Sequence, residues 1–272
     1  MTPRPRPPQG LTFNASNHTY RLDGRPVPGV TGILNKGLPK PAIPYWAART
    51  VAEYVIDNPD GVDQLRTMGR GPAVAALKQI PWQRRDEAAV RGTDIHALAE
   101  RVAHGETVDV PEHLHTHVDG YARWLDAFDV QPVLTERPCA HRAHWWGGTF
   151  DAVVTIGGTV WILDWKTSTG VYGETALQTA AYASAEFYAD GDTEHPMPAI
   201  ERTGVVHITD TGTTLHPLAV DPDGIAYDYG IFRHIAYVAA RTDHIKSRVG
   251  AAIEEPTHMS EVATTAVRGD QP

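Results

Sequence analysis

The first half of the chain is mainly helical in its spacing of apolar positions. Before the helices, residues 11–34 alternate apolar and polar side chains around Asp23-Gly24, which predicts a β-hairpin. Apolar residues then recur at helical spacing up to about Phe128, with a break predicted near Gly92. The predicted helical segments are residues 41–58, 61–80, 82–106 and 112–130.

Beyond residue 130 the apolar pattern changes to the period of β-strands. Three apolar runs follow one another, and Gly157-Gly158 separates the last two as a turn. The runs are Val133–Cys139, Thr149–Ile156 and Val160–Trp165. Helical spacing returns in residues 173–190, two more strands flank Thr211-Gly212, and a last helix covers residues 221–250. This order predicts an α/β (α+β) core with a mixed sheet, and it argues against a helix bundle or a β-sandwich.

The composition is that of a globular protein with enough apolar residues for a core. Of the 272 residues, 42% are hydrophobic and 21% are charged. No apolar run approaches the roughly 20 residues that cross a bilayer, so we expect a cytoplasmic protein without a membrane partner. We also expect a proline-rich disordered start, a hairpin and helical region, a core domain and a disordered tail. Their predicted bounds are 1–10, 11–130, 131–254 and 255–272.

The charge balance argues against one class of protein, and the cysteine count excludes two kinds of structural feature. The chain has 24 Lys and Arg residues against 33 Asp and Glu residues, a net charge of −9. This balance argues against a protein that coats nucleic acid through bulk charge. An enzyme that holds phosphates locally stays compatible with it, because a bound divalent cation reverses the local sign. Cys139 is the single cysteine, which excludes an intrachain disulfide and a four-cysteine zinc or iron–sulfur site.

The end of the third β-run carries an unusual set of charges. Asp164 and Lys166 follow four apolar residues and leave the same face of the strand. Asp151 and Asp164 lie at about equal distances from the glycine turn, so their backbones should be neighbours in the hairpin. Two facing carboxylates need a cation, and Mg²⁺ and Mn²⁺ prefer oxygen ligands. The alternative is a surface ion pair between Asp164 and Lys166, which would contribute little.

Two helical segments supply polar pairs that are four residues apart and therefore share a helix face. Gln178 and Tyr182 follow the charged strand, and their amide and hydroxyl groups could reach a phosphate or the water shell of a metal. His96 and Glu100 lie upstream, and an imidazole ligand would shift the preference toward Mn²⁺. Each pair alone is more often an ordinary half-buried feature of a helix.

Together these segments resemble the PD-(D/E)XK nuclease superfamily, and within it the RecB-like exonucleases that include CRISPR-associated and phage-encoded members. Four motifs occur in family order between residues 91 and 183. They are RGTDIHALAE with His96, GGTFDAVV with Asp151, ILDWKTS with Asp164 and Lys166, and ALQTAAYA with Gln178 and Tyr182. The N-terminal segments also resemble the opening of phage members. The resemblance implies a restriction-endonuclease-like core, in which helices flank a central mixed sheet.

The same resemblance implies roles for single residues. It implies that four groups bind Mg²⁺ or Mn²⁺: His96, Asp151, Asp164 and the backbone carbonyl of Trp165. Lys166 would be the catalytic lysine, acting with Asp151 and Asp164. Gln178 and Tyr182 would position DNA or this lysine. Glu100 and Glu136 would lie behind the metal ligands, and Glu136 is also a candidate ligand of a second metal.

The activity that the resemblance implies is metal-dependent hydrolysis of DNA. We expect an exonuclease that acts on a single strand or a duplex end in phage or bacterial recombination, repair or DNA processing. Many CRISPR-associated members carry an iron–sulfur cluster, which Cys139 alone cannot hold. Ring-forming exonucleases exist among the relatives. The resemblance therefore leaves open whether the protein forms a homo-oligomer and whether it binds a phage recombination partner. The alternative function is a catalytically degenerate nuclease fold that binds DNA or forms a complex.

Three arginines lead toward His96 and raise a separate question. Arg84, Arg85 and Arg91 could form the phosphate track that the overall charge does not provide. They are equally typical of a solvated helix face. The sequence leaves both interpretations open.

Overall fold

The structure of the protein is a computed structural model that describes residues 10–253. The ends predicted to be disordered, residues 1–10 and 255–272, lie outside this range apart from Gly10. The described part opens with a small antiparallel sheet whose strands are β1 (Leu11–Asn14), β2 (Thr19–Leu22) and β3 (Arg25–Val27). The hairpin turn predicted at Asp23-Gly24 is confirmed between β2 and β3, and both turn residues adopt a positive φ. The strand β1 pairs with the other edge of β2.

A second, larger sheet forms the centre of the protein, with seven strands in the part of the chain that the structure describes. The strands are β4 (Gln131–His141), β5 (Trp146–Ile156), β6 (Thr159–Lys166), β7 (Phe187–Asp190), β8 (Thr193–Pro196), β9 (Arg202–Thr209) and β10 (Gly212–Pro217). Their order across the sheet is β10-β9-β6-β5-β4-β7-β8. The pair β6 and β9 is parallel, and the other neighbours are antiparallel. The predicted α/β class with a mixed sheet is confirmed.

Helices cover both faces of this sheet. Within residues 10–253 the α-helices are α1 (Val30–Gly37), α2 (Ala42–Asp57), α3 (Pro59–Thr67), α4 (Arg70–Ala103), α5 (His115–Ala127), α6 (Glu174–Ala183) and α7 (Pro222–Lys246). One face packs Ile162 and Val153 against α1, α6 and α7, and the other packs Leu163 and Val154 against α4 and α5. None of these described helices has the length and apolarity that crossing a membrane requires.

The hairpin of β5 and β6 sets the position of the charged residues. Gly157 and Gly158 form its turn with φ angles of +58° and +81°, a conformation that a two-residue hairpin loop of type I′ requires and that glycine adopts without strain. The register pairs Ala152 with Leu163. Asp151 and Asp164 therefore lie one residue beyond the last pair, at the opening of the hairpin, as the sequence predicts.

Four predicted boundaries are wrong. The hairpin predicted over residues 11–34 ends at Val27, because the chain from Val30 onward forms α1. The helix α4 runs for 34 residues without a break near Gly92. The segment 61–80 is divided between α3 and α4, because Gly69 ends the first of them with a φ of +84°. In the segment 173–190 only the first part is helical, since Phe187 pairs with Ala140 of β4 and starts a strand. The turn conformation of Gly69 and the pairing of Phe187 override the local spacing of apolar residues.

Candidate active site

The end of β6 places a buried carboxylate beside an ammonium group on the face that α6 covers. Asp164 is only 2% exposed, and the Lys166 Nζ contacts its Oδ2. Gln178, on α6, donates from Nε2 to Asp164 Oδ1 at 2.8 Å. Asp164 Oδ2 is itself buried and has no well-directed hydrogen bond within the described residues. This arrangement differs from the weak surface ion pair that the sequence left as an alternative. Asp164 is buried, and Lys166 and Gln178 are the groups that stabilise its carboxylate.

Asp151 is fixed at the neighbouring end of β5 from two sides. The backbone N–H of Trp165 donates to Asp151 Oδ2 at 2.7 Å, and His96 Nδ1 of α4 lies 3.9 Å from the same oxygen. The Trp165 indole packs in the opposite face, edge-on to the rings of His96 and Tyr121. The backbone of β6 therefore orients Asp151, whereas the Trp165 side chain belongs to the core. The Trp165 carbonyl as a metal ligand stays a prediction.

Glu136 joins this group through an unusual backbone conformation in β4. Its φ is +46°, although it lies inside a strand and is not glycine. Such a conformation costs on the order of 1–3 kcal/mol and persists only where the surroundings impose it. Nitrogen or oxygen atoms of His96, Glu136 and Asp151 all lie within 4.8 Å of one another. One imidazole and two carboxylates at this spacing suit a hard or borderline divalent cation such as Mg²⁺ or Mn²⁺.

The electrostatics of the site show an excess of buried negative charge. Burial raises the pKa of Glu136 to about 8, and the charges of Asp151, Glu100 and Asp164 add to the shift. Burial, followed by the charge of Asp151, also raises the pKa of Asp164 despite its contact with Lys166. The pKa of Lys166 is raised as well, because the attraction of Asp164 and Asp151 exceeds the effect of burial. One ammonium group does not balance these carboxylates, so the donor set fits an added cation.

Tyr182 supports the site from behind and does not face solvent. It is 4% exposed, and the Gln178 Nε2 lies 3.5 Å from its hydroxyl oxygen. Its ring lies directly on Gly148 of β5, where a Cβ would come within 2.4 Å of the ring carbon Cε1. The predicted pair Gln178 and Tyr182 therefore shares a face as expected, with Gln178 at Asp164 and Tyr182 beneath it.

Replacing Gly148 by alanine is expected to destabilise the protein. The added methyl group would overlap the Tyr182 ring, and overpacking of this kind costs about 2 kcal/mol. Urea unfolding of Gly148→Ala measures the loss in the free energy of unfolding. Gly173→Ala is the matched control, because a Cβ at Gly173 meets open space. Equal stability of the two variants would contradict the assigned contact.

A second layer of polar contacts lies behind Glu136, between α4 and β4. The hydroxyl of Thr135 donates to Glu100 Oε1 at 3.4 Å and lies 2.8 Å from His104 Nε2. Glu100 is therefore near the site, as predicted, and its charge acts on Glu136. Thr135 and His104 were not among the predicted residues, because neither stands at a spacing that links it to a motif.

The structure thus brings the predicted residues together in two adjoining groups. The first contains His96, Glu136 and Asp151, and the second contains Asp164, Lys166 and Gln178. The sequence ranked Glu136 below Asp164 as a metal ligand, whereas the geometry places the Glu136 carboxylate with His96 and Asp151.

Comparisons with known proteins assign no family to the chain. No protein-family model matches it, and no curated protein matches it. A solved structure described as "Crystal structure of SSO0001" aligns at 17% identity with a TM-score of 0.26. The alignment covers 47% of this chain and 57% of that chain, so this chain spans less than two thirds of its length. A score this low carries no argument about fold or function.

Proposed function

We propose that the protein is a metal-dependent deoxyribonuclease of the PD-(D/E)XK type. The observation that carries the proposal is the buried Asp164–Lys166 pair beside the group of His96, Glu136 and Asp151. More buried carboxylate than ammonium, next to an imidazole, suits a divalent cation and a phosphodiester substrate. The order of the four sequence motifs supports the same activity. We propose an exonuclease that acts on DNA ends in phage or bacterial recombination, repair or DNA processing.

His96, Glu136 and Asp151 would hold the cation, with Asp164 at the edge of the group. When bound, a divalent cation would neutralise these carboxylates, polarise a phosphoryl oxygen and lower the pKa of a water molecule. Lys166 supplies an ammonium group in this part of the site and is held in place by Asp164. It would stabilise negative charge on the phosphate oxygens as the bond to the leaving group breaks.

The remaining contacts keep these groups in position. The Trp165 N–H fixes Asp151, and the Gln178 amide fixes Asp164. Both donors belong to regular elements, β6 and α6, which hold a side chain more precisely than a loop does. The buried Tyr182 ring packs behind Gln178 and excludes water from that side.

Incubation with end-labelled DNA tests the proposal. The wild type should degrade linear single- or double-stranded DNA with Mn²⁺ or Mg²⁺ and lose this activity in EDTA. Closed circular DNA should stay intact, because an exonuclease needs an end. Asp164→Asn should remove the activity, whereas Asp243→Asn, at an exposed carboxylate that pairs with Lys36, should retain it. Degradation that survives Asp164→Asn would contradict the proposal, provided that circular dichroism shows both variants folded.

A further inference from the structure

The helix α4 contains a stretch whose residues are largely exposed to solvent. All ten residues from Trp82 to Arg91 are exposed. The helix α4 contacts α2 and α3, and after this stretch it buries Ile95 and Ala99 in the core. A helix that is solvent-exposed all round typically bridges two packed regions. The exposed stretch ends shortly before His96, which α4 places in the candidate active site.

One stripe of this helix leads to the site. Residues spaced by three or four positions lie on the same helix face. Going toward the site, this stripe consists of Lys78, Trp82, Arg85, Ala89, Gly92 and His96. The first three members are basic or aromatic, and the next two are small. A Cβ on Gly92 would lie 3.0 Å from Thr167 Oγ1, the residue after Lys166, so the stripe reaches the edge of the site.

Trp82 presents an aromatic surface to solvent beside a cation. Its side chain is 42% exposed, and the Arg85 guanidinium lies 4.9 Å from the centre of its ring. Exposed aromatic rings flanked by arginine are the stacking platforms on which proteins bind unpaired bases. Paired bases in a duplex do not offer their faces in this way.

The charge of this segment also differs from that of the whole chain. Residues 70–92 contain five basic and two acidic side chains, whereas the chain carries a net charge of −9. Arg84 and Arg85 contact Glu53 and Asp86 at 3.6 and 2.7 Å, in pairs that are exposed. Exposed ion pairs are weak, so both arginines are available to exchange these carboxylates for phosphates.

We infer that the stripe of Lys78, Trp82 and Arg85 binds single-stranded DNA and leads it to the candidate active site. The inference rests on the proposed function for the direction of the strand, and it adds that the substrate is single-stranded where it approaches the metal. Trp82 lies fourteen residues before His96, which is about 21 Å along the helix axis. That length corresponds to about six nucleotides at the duplex spacing of about 3.4 Å, and to fewer in an extended strand.

Fluorescence anisotropy with labelled oligothymidylates in EDTA tests the inference, because hydrolysis is then prevented. Trp82→Ala and Arg85→Ala should each weaken the binding of a 12-mer at least fivefold. A 4-mer should bind weakly to all proteins, and Trp82→Phe should keep most of the 12-mer affinity because it keeps a ring. Tyr227→Ala and Arg66→Ala are matched controls at exposed positions of α7 and α3 and should bind like the wild type. Wild-type affinity in both Trp82→Ala and Arg85→Ala would overturn the inference.

Hydrolysis assays in Mn²⁺ separate this inference from the proposed function. A wild type that binds the 12-mer, depends on Trp82 for it, and hydrolyses no DNA would overturn the proposed function and support the binding stripe. A wild type that hydrolyses DNA with a KM that Trp82→Ala leaves unchanged would support the proposed function and overturn the stripe. A wild type that binds duplex DNA but no single strand would likewise overturn the stripe.

Discussion

Replacing Lys166 by alanine is expected to lower kcat/KM for DNA hydrolysis at least about 1,000-fold. Within residues 10–253 the Lys166 ammonium group is the cation that contacts Asp164, and single electrostatic stabilisers of a transition state contribute about 100- to 1,000-fold. The loss should lie at the upper end of this range or above it, because the buried Asp164 then lacks the ammonium group that pairs with it. Steady-state hydrolysis of end-labelled DNA in Mn²⁺ measures the change.

Lys36→Ala is the matched control for this variant. Lys36 also contacts an aspartate, Asp243, but the pair is exposed and lies on α1 and α7. This control should keep the activity of the wild type within about twofold, since exposed ion pairs contribute little. Lys166→Ala activity within tenfold of the wild type, in a folded protein, would contradict the role assigned to Lys166.

Replacing Glu136 by glutamine is expected to stabilise the metal-free protein and to weaken its response to metal. The pKa of Glu136 is raised from 4.5 to about 8, so the folded state holds its proton more tightly than the unfolded state does. The free energy of unfolding in EDTA therefore falls as the pH rises from about 4.5 through 8. Glutamine at this position does not ionise, so the variant lacks the part of the fall that Glu136 causes. At pH 8 the difference is on the order of 2–4 kcal/mol, and it should raise Tm by roughly 5–10 °C.

Thermal unfolding at pH 5 and pH 8, in EDTA and in Mn²⁺, measures both effects. The wild type should gain Tm from Mn²⁺ at pH 8, whereas Glu136→Gln should gain much less because it lacks one carboxylate ligand. Glu112→Gln, at an exposed glutamate, should behave like the wild type in all four conditions. A Glu136→Gln variant that is less stable than the wild type at pH 8 in EDTA would contradict the assigned excess of negative charge.

Much of the fold follows from the local pattern of the sequence. The hairpin of β5 and β6 was predictable because Gly157-Gly158 suits its turn and apolar runs flank it. The predictions failed where distant parts of the chain decide the outcome. Phe187 is in a strand because it pairs with Ala140 of β4, which lies far away in the sequence. Such contacts leave no periodic signal in the residues themselves.

The candidate site was predictable to a similar extent. Asp151, Asp164 and Lys166 follow from the period of a strand and the symmetry of a hairpin, and their proximity needs no further information. The position of Glu136 depends on a positive φ in the middle of a strand. A glutamate in the sequence gives no sign of such a backbone conformation. Thr135 and His104 meet through the packing of α4 on β4, at a sequence separation that no motif spans. The sequence therefore indicates which side chains meet at the site better than how they divide into the two groups.

A crystal of the wild type soaked in Mn²⁺ shows directly whether His96, Glu136 and Asp151 hold a metal ion. Anomalous difference density recorded at the manganese edge locates the ion independently of any assay. We expect one strong peak within coordination distance of His96, Glu136 and Asp151, and loss of this peak in Glu136→Gln crystals soaked in the same way. Density that appears only elsewhere, or a site that holds Mn²⁺ equally well without the Glu136 carboxylate, would contradict the proposed metal site.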